Sequence, residues 1–405
     1  MQEFARRADL LDSLGDLDGP QYIHIAGTNG KGSVTAFLQS LLVESGYRTG
    51  AFFSPFVLSP RERVQMGRAS IPEADLAELT SILKPIGESL AGTEFGGVTE
   101  FEFKTALGFL YWKRRRAEWV ALEVGLGGRL DATNIVTPRA SIIVSIGLDH
   151  TAILGETKAK IAFEKAGIIK AGVPVIVGNL GDEAMEVVIS VATEMKAPLW
   201  RWNREVRTWP GEAVGKITVE TPRHVYKDLR VGIPGTLQDH NLALAVAALD
   251  AAKVETTDEA LRRGSSSASI PGRFQLVVYR GRRLILDGAH NADAAGVLRN
   301  SLVQAFPDAK VVLVTGMVSG HDPVSFYEPL AKIASKAYIV PIDFHRAVAT
   351  ADLAPQLSPI ISSLPFESIQ AGLEAAIQET ETSDVIVVTG SFYLIGEVAR
   401  LIGLS

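Results

Sequence analysis

The feature that most constrains the fold of this chain is a glycine-rich turn between two apolar segments. Residues 22–26 are apolar and partly β-branched, which predicts a buried strand. The turn has the sequence GTNGKGS over residues 27–33, and the apolar residues after it recur at helical spacing. This arrangement is typical of phosphate binding, because glycines let backbone N–H groups point at an anion and a helix N-terminus favours negative charge. A turn that binds no ligand is the alternative.

Within this turn, a lysine and the hydroxyls are the side chains that phosphate chemistry would use. In a phosphate loop the lysine contacts the β- and γ-phosphates of a nucleotide, and a hydroxyl faces Mg²⁺. The match with the general pattern is incomplete, because Gly32 separates Lys31 from Ser33. The residues predicted to bind the nucleotide here are Gly27, Thr28, Asn29, Gly30, Lys31, Gly32 and Ser33.

Composition excludes several classes of protein. The chain has 405 residues, of which 47% are hydrophobic and 21% charged, as is typical of a globular protein with two or three domains. It has no cysteine, which excludes disulfides and thiolate metal sites, and its net charge of -6 gives no overall attraction to nucleic acid or acidic membranes. Neither a secretory signal nor a membrane span is predicted, so we expect a cytoplasmic protein without nucleic-acid or membrane partners.

Strand-like and helix-like patterns alternate along the chain, with one interruption. The first set of predicted strands comprises residues 22–26, 49–53, 119–124, 141–146 and 174–178. A run of small polar residues then leads to Ile270-Pro271-Gly272-Arg273-Phe274. The second set of strands comprises residues 284–286, 311–315, 337–340 and 385–389. The alternation predicts an α/β fold with two doubly wound domains, residues 1–270 and 271–405.

Two local features are predicted in the first domain. Residues 1–20 should form one helix followed by a turn at Asp18-Gly19-Pro20. Thr99 and Glu102 have the spacing of a capping box, so a helix should begin there and run to about Arg116.

Polar side chains occur at the ends of three predicted strands. Ser54 follows the strand at 49–53, Glu123 lies near the end of the next strand, and His150 comes shortly after a third. A carboxylate at the carboxyl end of a strand faces the crevice of an open α/β sheet, where a hard divalent cation finds oxygen ligands. Each residue also has a structural alternative: a turn for Ser54, a buried carboxylate for Glu123 and a hydrogen-bonded ring for His150.

A series of short segments, taken in order, resembles one family. The segments are HIAGTNGKGS from His24, SPFVLSPRERVQ from Ser54, TEFEFKTALGFLYW from Thr99, EVGLGGRLDATN from Glu123, DHTAILGET from Asp149, EKAGI from Glu164, PGRF from Pro271, LDGAHN from Leu286 and GSFYLIG from Gly390. They are similar to segments of folylpolyglutamate synthases and dihydrofolate synthases, the folate branch of the Mur ligase superfamily. The brevity of residues 1–20 favours this branch, since Mur ligases that act on nucleotide-linked sugars carry a substrate domain ahead of the phosphate loop.

The resemblance implies a P-loop-containing, Mur-ligase-like central domain and a smaller, Rossmann-like C-terminal α/β domain. It implies an enzyme that transfers the γ-phosphoryl group of ATP to a folate or dihydropteroate carboxylate, after which L-glutamate attacks the acyl phosphate to give an amide, ADP and phosphate. We expect these small molecules as partners, and a monomer. Two alternatives stay open: another amide ligase of the superfamily, and a non-ligase ATPase or ATP-binding module. Glutamate addition to dihydropteroate and extension of folate polyglutamates are not distinguished.

The resemblance also implies roles for individual residues. Beyond the glycine-rich turn, the nucleotide is expected to contact Gln238, Asn241, Arg273 and Asp287. Two Mg²⁺ ions are expected at Ser54, Glu123, His150 and Lys165, with Lys165 carbamylated by CO₂ so that it carries negative charge. Catalytic roles are expected for Lys31, Lys165, His150, Asp287 and His290. The folate and glutamate sites are expected to include Pro55, Phe56, Phe101, Glu102, His290 and Ser391.

Three positions depart from the family pattern. Phe56 and Leu237 stand where many members have histidine, and His240 is adjacent to the second position without being equivalent to it. Gly320-His321-Asp322 stands where the more usual pattern is Asp-Lys-Asp, and we assign it no role.

Overall fold

The computed structural model describes residues 1–15 and 19–404, and this part of the chain forms two units. The first unit comprises Met1–Pro55, Arg61–Gly232 and Asp239–Ser269, and the second comprises Phe56–Pro60, Ile233–Gln238 and Ile270–Ser405. Two short segments from within residues 1–270 therefore pack with the second unit. The turn predicted at Asp18-Gly19-Pro20 lies partly outside the described residues, because Asp18 is not among them. The division into domains at 270/271 stays a prediction.

An eight-stranded sheet forms the centre of the first unit. Its strands are β1 (Gln21–Ala26), β2 (Thr49–Phe52), β3 (Val64–Met66), β4 (Ala69–Ser70), β5 (Trp119–Glu123), β6 (Ala140–Ile143), β7 (Val175–Val177) and β8 (Leu199–Arg201). Their order across the sheet is β4-β3-β2-β5-β1-β6-β7-β8. All pairs from β2 to β8 are parallel, whereas β3 and β4 add an antiparallel edge. The carboxyl ends of β1, β2, β5 and β6 thus meet along one side of the sheet, where loops form ligand sites.

Helices cover this sheet. They are α1 (Gln2–Arg7), α2 (Lys31–Glu44), α3 (Glu73–Glu88), α4 (Glu100–Arg115), α5 (Thr151–Leu154), α6 (Lys158–Ala166), α7 (Asp182–Glu194), α8 (Gln238–Ala251) and α9 (Asp258–Ser267), with short 3₁₀ turns at Leu11–Ser13, Pro60–Arg63 and Ala132–Ile135. One apolar cluster joins Phe52 to Phe109 and Trp112 of α4, and another joins Ile143 to Ile161 of α6. β1 is buried from Tyr22 to Ala26, which explains its nearly continuous apolar sequence. Parallel strands that are covered on both faces have such sequences.

A small antiparallel sheet follows in the same unit. It consists of β9 (Arg207–Pro210), β10 (Lys216–Glu220) and β11 (Val225–Arg230), in the order β11-β10-β9. No helix of the described residues, in either unit, is long and apolar enough to cross a membrane.

The second unit contains a six-stranded sheet. Its strands are β12 (Gln275–Tyr279), β13 (Arg282–Leu286), β14 (Val311–Thr315), β15 (Ala334–Ile339), β16 (Ser363–Pro365) and β17 (Val385–Thr389), in the order β12-β13-β17-β14-β15-β16. Only the pairing of β12 with β13 is antiparallel among the pairs that the described strands form in this sheet. The helices are α10 (Ala292–Ala305), α11 (Pro323–Ala331), α12 (Thr350–Leu357), α13 (Ile369–Glu379) and α14 (Phe392–Leu401). Val57, from the segment Phe56–Pro60, joins the apolar core that includes Leu286 and Ile395.

The predicted α/β architecture is confirmed. The single helix predicted within residues 1–20 is wrong, since α1 ends at Arg7 and a 3₁₀ turn follows at Leu11–Ser13. The other differences concern strand ends and short strands. The strand predicted at 141–146 ends at Ile143, because the chain turns away to contact the glycine-rich turn. Four strands at or near the edges of the two sheets, β3, β4, β12 and β16, were not predicted, since they are short or only partly buried. The predicted capping box is confirmed: Thr99 Oγ1 accepts from Glu102 N over 3.2 Å, and Thr99 N donates to Glu102 Oε2 over 2.9 Å.

The capping box gives a prediction about stability. Thr99→Ala removes the acceptor for Glu102 N, so the free energy of unfolding should fall by about 1 kcal/mol. All five tryptophans lie in the first unit, so tryptophan fluorescence during urea unfolding reports on this unit. Thr99→Ser keeps a hydroxyl acceptor and is the matched control; an equal loss in both variants would contradict a capping role.

Candidate active site

The glycine-rich turn joins β1 to α2, and the chain after β6 holds it in place. Asn29 N donates to Ser145 Oγ, and Ser145 Oγ donates to Asn29 O, each over 2.9 Å. Gly30 is the N-cap of α2 and has φ 86°, a conformation that favours glycine. A Cβ at Gly30 would lie 2.8 Å from Val144 Cγ1 and 3.0 Å from Asn241 Oδ1. The turn thus requires glycine here for its backbone conformation and for its close packing.

Two lysines converge on the first residue of this turn. Lys31 Nζ donates to Gly27 O over 2.8 Å and to Thr28 O over 3.1 Å. Lys165, in α6, is 4% exposed, and its Nζ donates to the same Gly27 O over 2.9 Å. Two amino groups therefore share one carbonyl oxygen beside the N-terminus of α2, a position that suits an anion.

The surroundings of Lys165 lower the pKa of its amine to about 7. Burial is the main cause, because it disfavours the charged form, and the positive charge of Lys31 adds to the effect. The negative charges of Asp149 and Asp131 act in the opposite direction. Burial therefore favours the uncharged form of the Lys165 amine, and an uncharged amine is a nucleophile.

The structure brings together Ser54 and Glu123, which were predicted as metal ligands. Glu123 ends β5 and is 2% exposed, and its Oε2 accepts from Ser54 N over 3.1 Å. Arg63 Nη1 donates to Ser54 Oγ over 3.0 Å, and the Arg63 guanidinium lies 5.7 Å from the centre of the Phe101 ring. A buried carboxylate thus contacts the backbone of Ser54 where β2 and β5 end, and the Ser54 hydroxyl accepts from Arg63.

His150 occupies a tight turn next to an acidic residue. It has φ 50° at the N-cap of α5, and its backbone N donates to Asp149 Oδ1 over 2.9 Å. His150 Nε2 lies 3.9 Å from the same carboxylate oxygen. The negative charge of Asp149 raises the pKa of Lys165, so a charge in this turn acts on the buried lysine.

A cavity of about 1400 Å³ opens in the first unit beside these residues. Phe101 and Glu102, both predicted to contact substrate, line it together with Leu126 and Asp131. Asp131 Oδ2 accepts from Leu126 N over 2.9 Å and Asp131 Oδ1 accepts from Thr133 N over 3.0 Å, while burial raises the pKa of the carboxyl. The lining combines an aromatic ring, aliphatic groups and carboxylates, as in a site for an aromatic, hydrogen-bonding molecule.

The start of α8 lies against the glycine-rich turn. Asn241 is 4% exposed, and its side-chain oxygen would be 3.0 Å from a Cβ at Gly30, whereas Gln238 begins the helix. His240 instead packs edge to face on Trp202, with 4.7 Å between ring centres, and burial lowers its pKa to about 4. His240 thus packs on an aromatic ring, whereas the Asn241 side chain lies against the glycine-rich turn.

In the second unit, several predicted residues lie at the carboxyl ends of β13 and β17. Asp287 accepts from Phe274 N over 2.8 Å and from Ala289 N over 2.9 Å, and burial raises the pKa of its carboxyl, against the charge of Arg273. The Arg273 guanidinium lies 4.5 Å from the centre of the Phe392 ring.

The remaining predicted substrate residues are placed as follows. His290 Nδ1 is 2.8 Å from Gly288 O, to which it donates. Ser391 is the N-cap of α14 and accepts from Tyr393 N over 3.2 Å. Pro55 is exposed and follows Ser54 through a cis peptide bond, and Phe56 is half-buried.

Three residues of these sites were not given a role from the sequence. Arg63 and Asp131 lie within segments that carry the family resemblance, so the signal was present, but no chemistry was attached to them. His321 belongs to a departure from the family pattern, and the structure places its ring centre 5.2 Å from that of His290.

The geometry of the turn predicts the effect of adding one methyl group. Gly30→Ala should lower nucleotide affinity about tenfold or more, because a left-handed conformation costs a residue with a Cβ roughly 1–2 kcal/mol and the methyl group would also press on Val144 and Asn241. The measurement is a titration with a fluorescent ATP analogue.

Gly46→Ala is the matched control, since Gly46 follows the other end of α2 with φ 89° and has nothing within 4 Å of its Cβ position. It imposes the same backbone strain away from the turn. Equal affinity in Gly30→Ala and Gly46→Ala would contradict the assignment of a nucleotide site to the turn.

Comparisons with known proteins agree with this geometry. Residues 272–392 match the family model described as Mur ligase, glutamate ligase domain. The chain is 34% identical over 385 residues to the dihydrofolate synthase/folylpolyglutamate synthase of Bacillus subtilis (strain 168), covering 93% of this chain and 89% of the relative.

Two solved structures are similar over nearly the whole length. Escherichia coli FolC in complex with DHPP and ADP has a TM-score of 0.89 and 31% identity, covering 99% of this chain and 92% of the other. A bifunctional folylpolyglutamate synthase/dihydrofolate synthase with Mn, AMPPNP and L-glutamate bound has a TM-score of 0.88 and 33% identity, covering 99% and 93%. The chain therefore belongs to the dihydrofolate synthase/folylpolyglutamate synthase family of Mur-type ligases, which confirms the predicted class of activity, an ATP-dependent ligase.

Proposed function

We propose that this protein adds L-glutamate to the carboxylate of a folate or of dihydropteroate, with ATP as the phosphoryl donor. The observation that carries the proposal is the convergence of Lys31 and Lys165 on Gly27 O beside the N-terminus of α2. Relatives whose names combine dihydrofolate synthase with folylpolyglutamate synthase support both reactions on one protein.

The reaction consists of two displacements. The substrate carboxylate attacks the γ-phosphorus of ATP, ADP leaves, and an acyl phosphate forms. The amine of L-glutamate then attacks the acyl carbon, phosphate leaves, and the amine nitrogen loses a proton as the amide forms. The first step depends on positioning and on neutralising charge, which is the role proposed for Lys31 and for the N–H groups of residues 27–33.

The donor set at Ser54 and Glu123 fits a magnesium ion. Mg²⁺ prefers oxygen ligands and usually takes one or two carboxylates, with waters and substrate phosphates completing its shell. Glu123 supplies a buried carboxylate, which accepts from the Ser54 backbone N, and Ser54 supplies a hydroxyl, which accepts from Arg63 in this structure. A bound divalent ion would supply positive charge to the phosphates, and the Mn and AMPPNP in a similar structure support this assignment.

A second metal ion is proposed at His150 and Lys165, and it requires a modified lysine. No group of three or more His, Cys, Asp or Glu side chains suited to a metal occurs among residues 1–15 and 19–404. An ammonium repels a cation, whereas a carbamate carries negative charge and two oxygens. The uncharged amine of Lys165 attacks CO₂, an N–C bond forms, and one proton is released. Burial, which lowers the pKa of Lys165 to about 7, makes this amine available at neutral pH.

The cavity of the first unit is the proposed site for the pterin and benzoyl groups. Its lining by Phe101, Leu126, Glu102 and Asp131 offers a ring for stacking and carboxylates for the donor groups of a pterin. DHPP in the similar Escherichia coli structure supports a ligand of this class.

Residues of the second unit are proposed to serve the nucleotide and the amino acid. Arg273 and Asp287 would contact the nucleotide, and Ser391 and His290 the L-glutamate. Since His290 Nδ1 donates to Gly288 O, Nε2 is the acceptor of the neutral ring, and it can take the proton that the amine releases. We further propose a cytoplasmic monomer.

The experiment that tests this function supplies dihydropteroate and tetrahydrofolate separately, each with ATP, Mg²⁺ and L-glutamate. Product mass and ADP are measured. We expect glutamate-dependent ADP formation and a product heavier by one glutamyl group with both acceptors. ADP formation that ignores L-glutamate would favour a simple ATPase, and a requirement for a different amine would favour another Mur-type ligase. Lys31→Ala should abolish turnover; near-normal ligation by this variant would refute the role of the turn.

The proposed carbamate predicts the direction in which activity changes with pH. The modification requires the neutral amine, so activity should decline as pH falls below about 7, and it should decline further when bicarbonate is removed. Carbon NMR with ¹³C-bicarbonate should show a protein carbamate signal, independently of activity. Lys165→Ala should lose both signal and activity, and a short carboxylic acid should restore part of the activity.

Lys158→Ala provides the control, because Lys158 is exposed in the same helix α6. It should retain the signal and the activity. A carbamate signal of unchanged intensity in Lys165→Ala would assign the modification elsewhere.

A further inference from the structure

Asp131, in the wall of the cavity, accepts hydrogen bonds from fixed donors and from one donor that can rotate. Its Oδ2 accepts from Leu126 N over 2.9 Å, and its Oδ1 accepts from Thr133 N over 3.0 Å. Both donors are backbone groups, which the loop holds in place. Thr133 Oγ1 also lies 2.6 Å from Asp131 Oδ1, and a hydroxyl proton can turn toward another acceptor. The direction of this hydroxyl therefore decides how firmly the carboxylate is held.

A buried histidine determines the direction of that hydroxyl. His24 lies within β1, is 0% exposed, and its Nε2 is 2.8 Å from Thr133 Oγ1. Its ring is neutral, because burial lowers its pKa to about 3, and it carries one N–H. His24 Nδ1 is buried and has no hydrogen-bond partner among residues 1–15 and 19–404. With the N–H on Nε2, the ring donates to Thr133 and Thr133 donates to Asp131; with the N–H on Nδ1, Thr133 can donate to only one of the two. The first arrangement has one hydrogen bond more and is therefore favoured.

The place of His24 in the sheet points to a role beyond packing. Its neighbours in β1 are the buried side chains of Ile23 and Ile25, and β1 pairs with β5 on one side and β6 on the other. A polar ring inside such a strand costs free energy of desolvation unless hydrogen bonds offset it. The contact that His24 makes leads through Thr133 to a carboxylate of the cavity wall. Groups that contact a ligand need a second layer of residues that hold them in place.

We infer that His24 and Thr133 are positioning residues that hold Asp131 as an acceptor for the N–H groups of the folate substrate. The inference rests on the proposed function, in which the cavity binds the pterin. A pterin has a 2-amino group beside a ring N–H, and both groups are donors, so they require an ionised and correctly oriented carboxylate. The hydrogen bond from Thr133 favours the ionised form of Asp131 against the effect of burial. His24 acts one step further away, by leaving Thr133 no other direction for its proton.

The test measures KM for dihydropteroate at saturating ATP and L-glutamate. His24→Leu and Thr133→Val each interrupt the chain of hydrogen bonds, so KM for dihydropteroate should rise about tenfold, because hydrogen bonds to charged groups are the strong ones. KM for ATP and kcat should stay close to their wild-type values. Thr133→Ser keeps the hydroxyl and His24→Gln keeps an N–H donor, so both variants should have a KM for dihydropteroate close to that of the wild type.

Ser141→Ala is the matched control. Ser141 is paired with His24 where β1 meets β6, it is equally buried, and its Oγ donates to Ile168 O over 3.0 Å. Its replacement removes a buried hydrogen bond of the same sheet that does not lead to Asp131, so KM for dihydropteroate should not change. A rise as large as that in Thr133→Val would indicate a general loss of stability in the sheet and would overturn the inference.

A double-mutant cycle shows whether Thr133 acts through Asp131. In an Asp131→Ala background there is no carboxylate to hold, so Thr133→Val should raise KM for dihydropteroate no further. Additive effects of the two substitutions would overturn the inference. NMR of protein labelled with ¹⁵N-histidine gives a measurement that does not depend on activity. The signal of His24, assigned by its loss in His24→Gln, should be that of a neutral ring with its proton on Nε2, and a proton on Nδ1 would contradict the inference.

The outcomes separate this inference from the proposed function. If the wild type ligates L-glutamate to dihydropteroate and Thr133→Val keeps the wild-type KM, the inference fails and the ligase activity stands. If the wild type ligates L-glutamate to neither acceptor, the proposed function fails, and calorimetric titration with dihydropteroate decides the inference instead. Equal affinity of the wild type and Thr133→Val, or no binding to the wild type, would then overturn it. Should His24→Leu fail to fold, Thr133→Val and the tautomer of His24 in the wild type decide.

Discussion

Two lysines of the first unit share one carbonyl oxygen, and this contact sets the electrostatics of the glycine-rich turn. Gly27 O accepts from Lys31 and from the buried Lys165, immediately before a helix N-terminus. The partial positive charge of a helix N-terminus disfavours cations, and two amino groups this close repel each other. The electrostatic energy of such a site is unfavourable when the site is empty and becomes favourable when an anion binds. A phosphate site has this property. Lys165 relieves part of the repulsion through its lowered pKa.

The sequence predicted this site as a phosphate loop but did not predict that Lys165 is buried against its first residue. Glycines between a strand pattern and a helix pattern specify a turn, because the need for glycine at position 30 follows from its own φ and from its nearest neighbours. Thr99 and Glu102 were predictable for the same reason, as a cap involves residues three apart. The burial of Lys165 and its contact with Gly27, 138 residues away, arise from packing of α6 against the sheet, which no local pattern encodes.

The second unit illustrates the limit of reasoning from family resemblance. Asp287, His290 and Ser391 were found because their segments match the family pattern, and each lies at the carboxyl end of a strand. His321 was set aside because its segment does not match. The fold places its ring beside that of His290, although 31 residues separate the two histidines in the sequence. A departure from the pattern can thus lie beside a residue that matches it, and only the fold shows that they are neighbours.

A buried polar chain ties β1 to the loop after β5 and fixes the directions of its protons. Burial lowers the pKa of His24 to about 3, so its ring is neutral, and its Nε2 lies 2.8 Å from Thr133 Oγ1. Thr133 Oγ1 donates to Asp131 Oδ1 over 2.6 Å, so it has no second proton to give to the ring. His24 must therefore donate from Nε2, and the hydrogen bonds run from β1 through Thr133 to a carboxylate that lines the cavity. Asp131 also accepts from Leu126 N, so the same carboxylate joins the two sides of this loop. A neutral histidine inside the sheet thus connects, through Thr133, to a carboxylate of the cavity wall, and it belongs to the strand that leads into the phosphate loop.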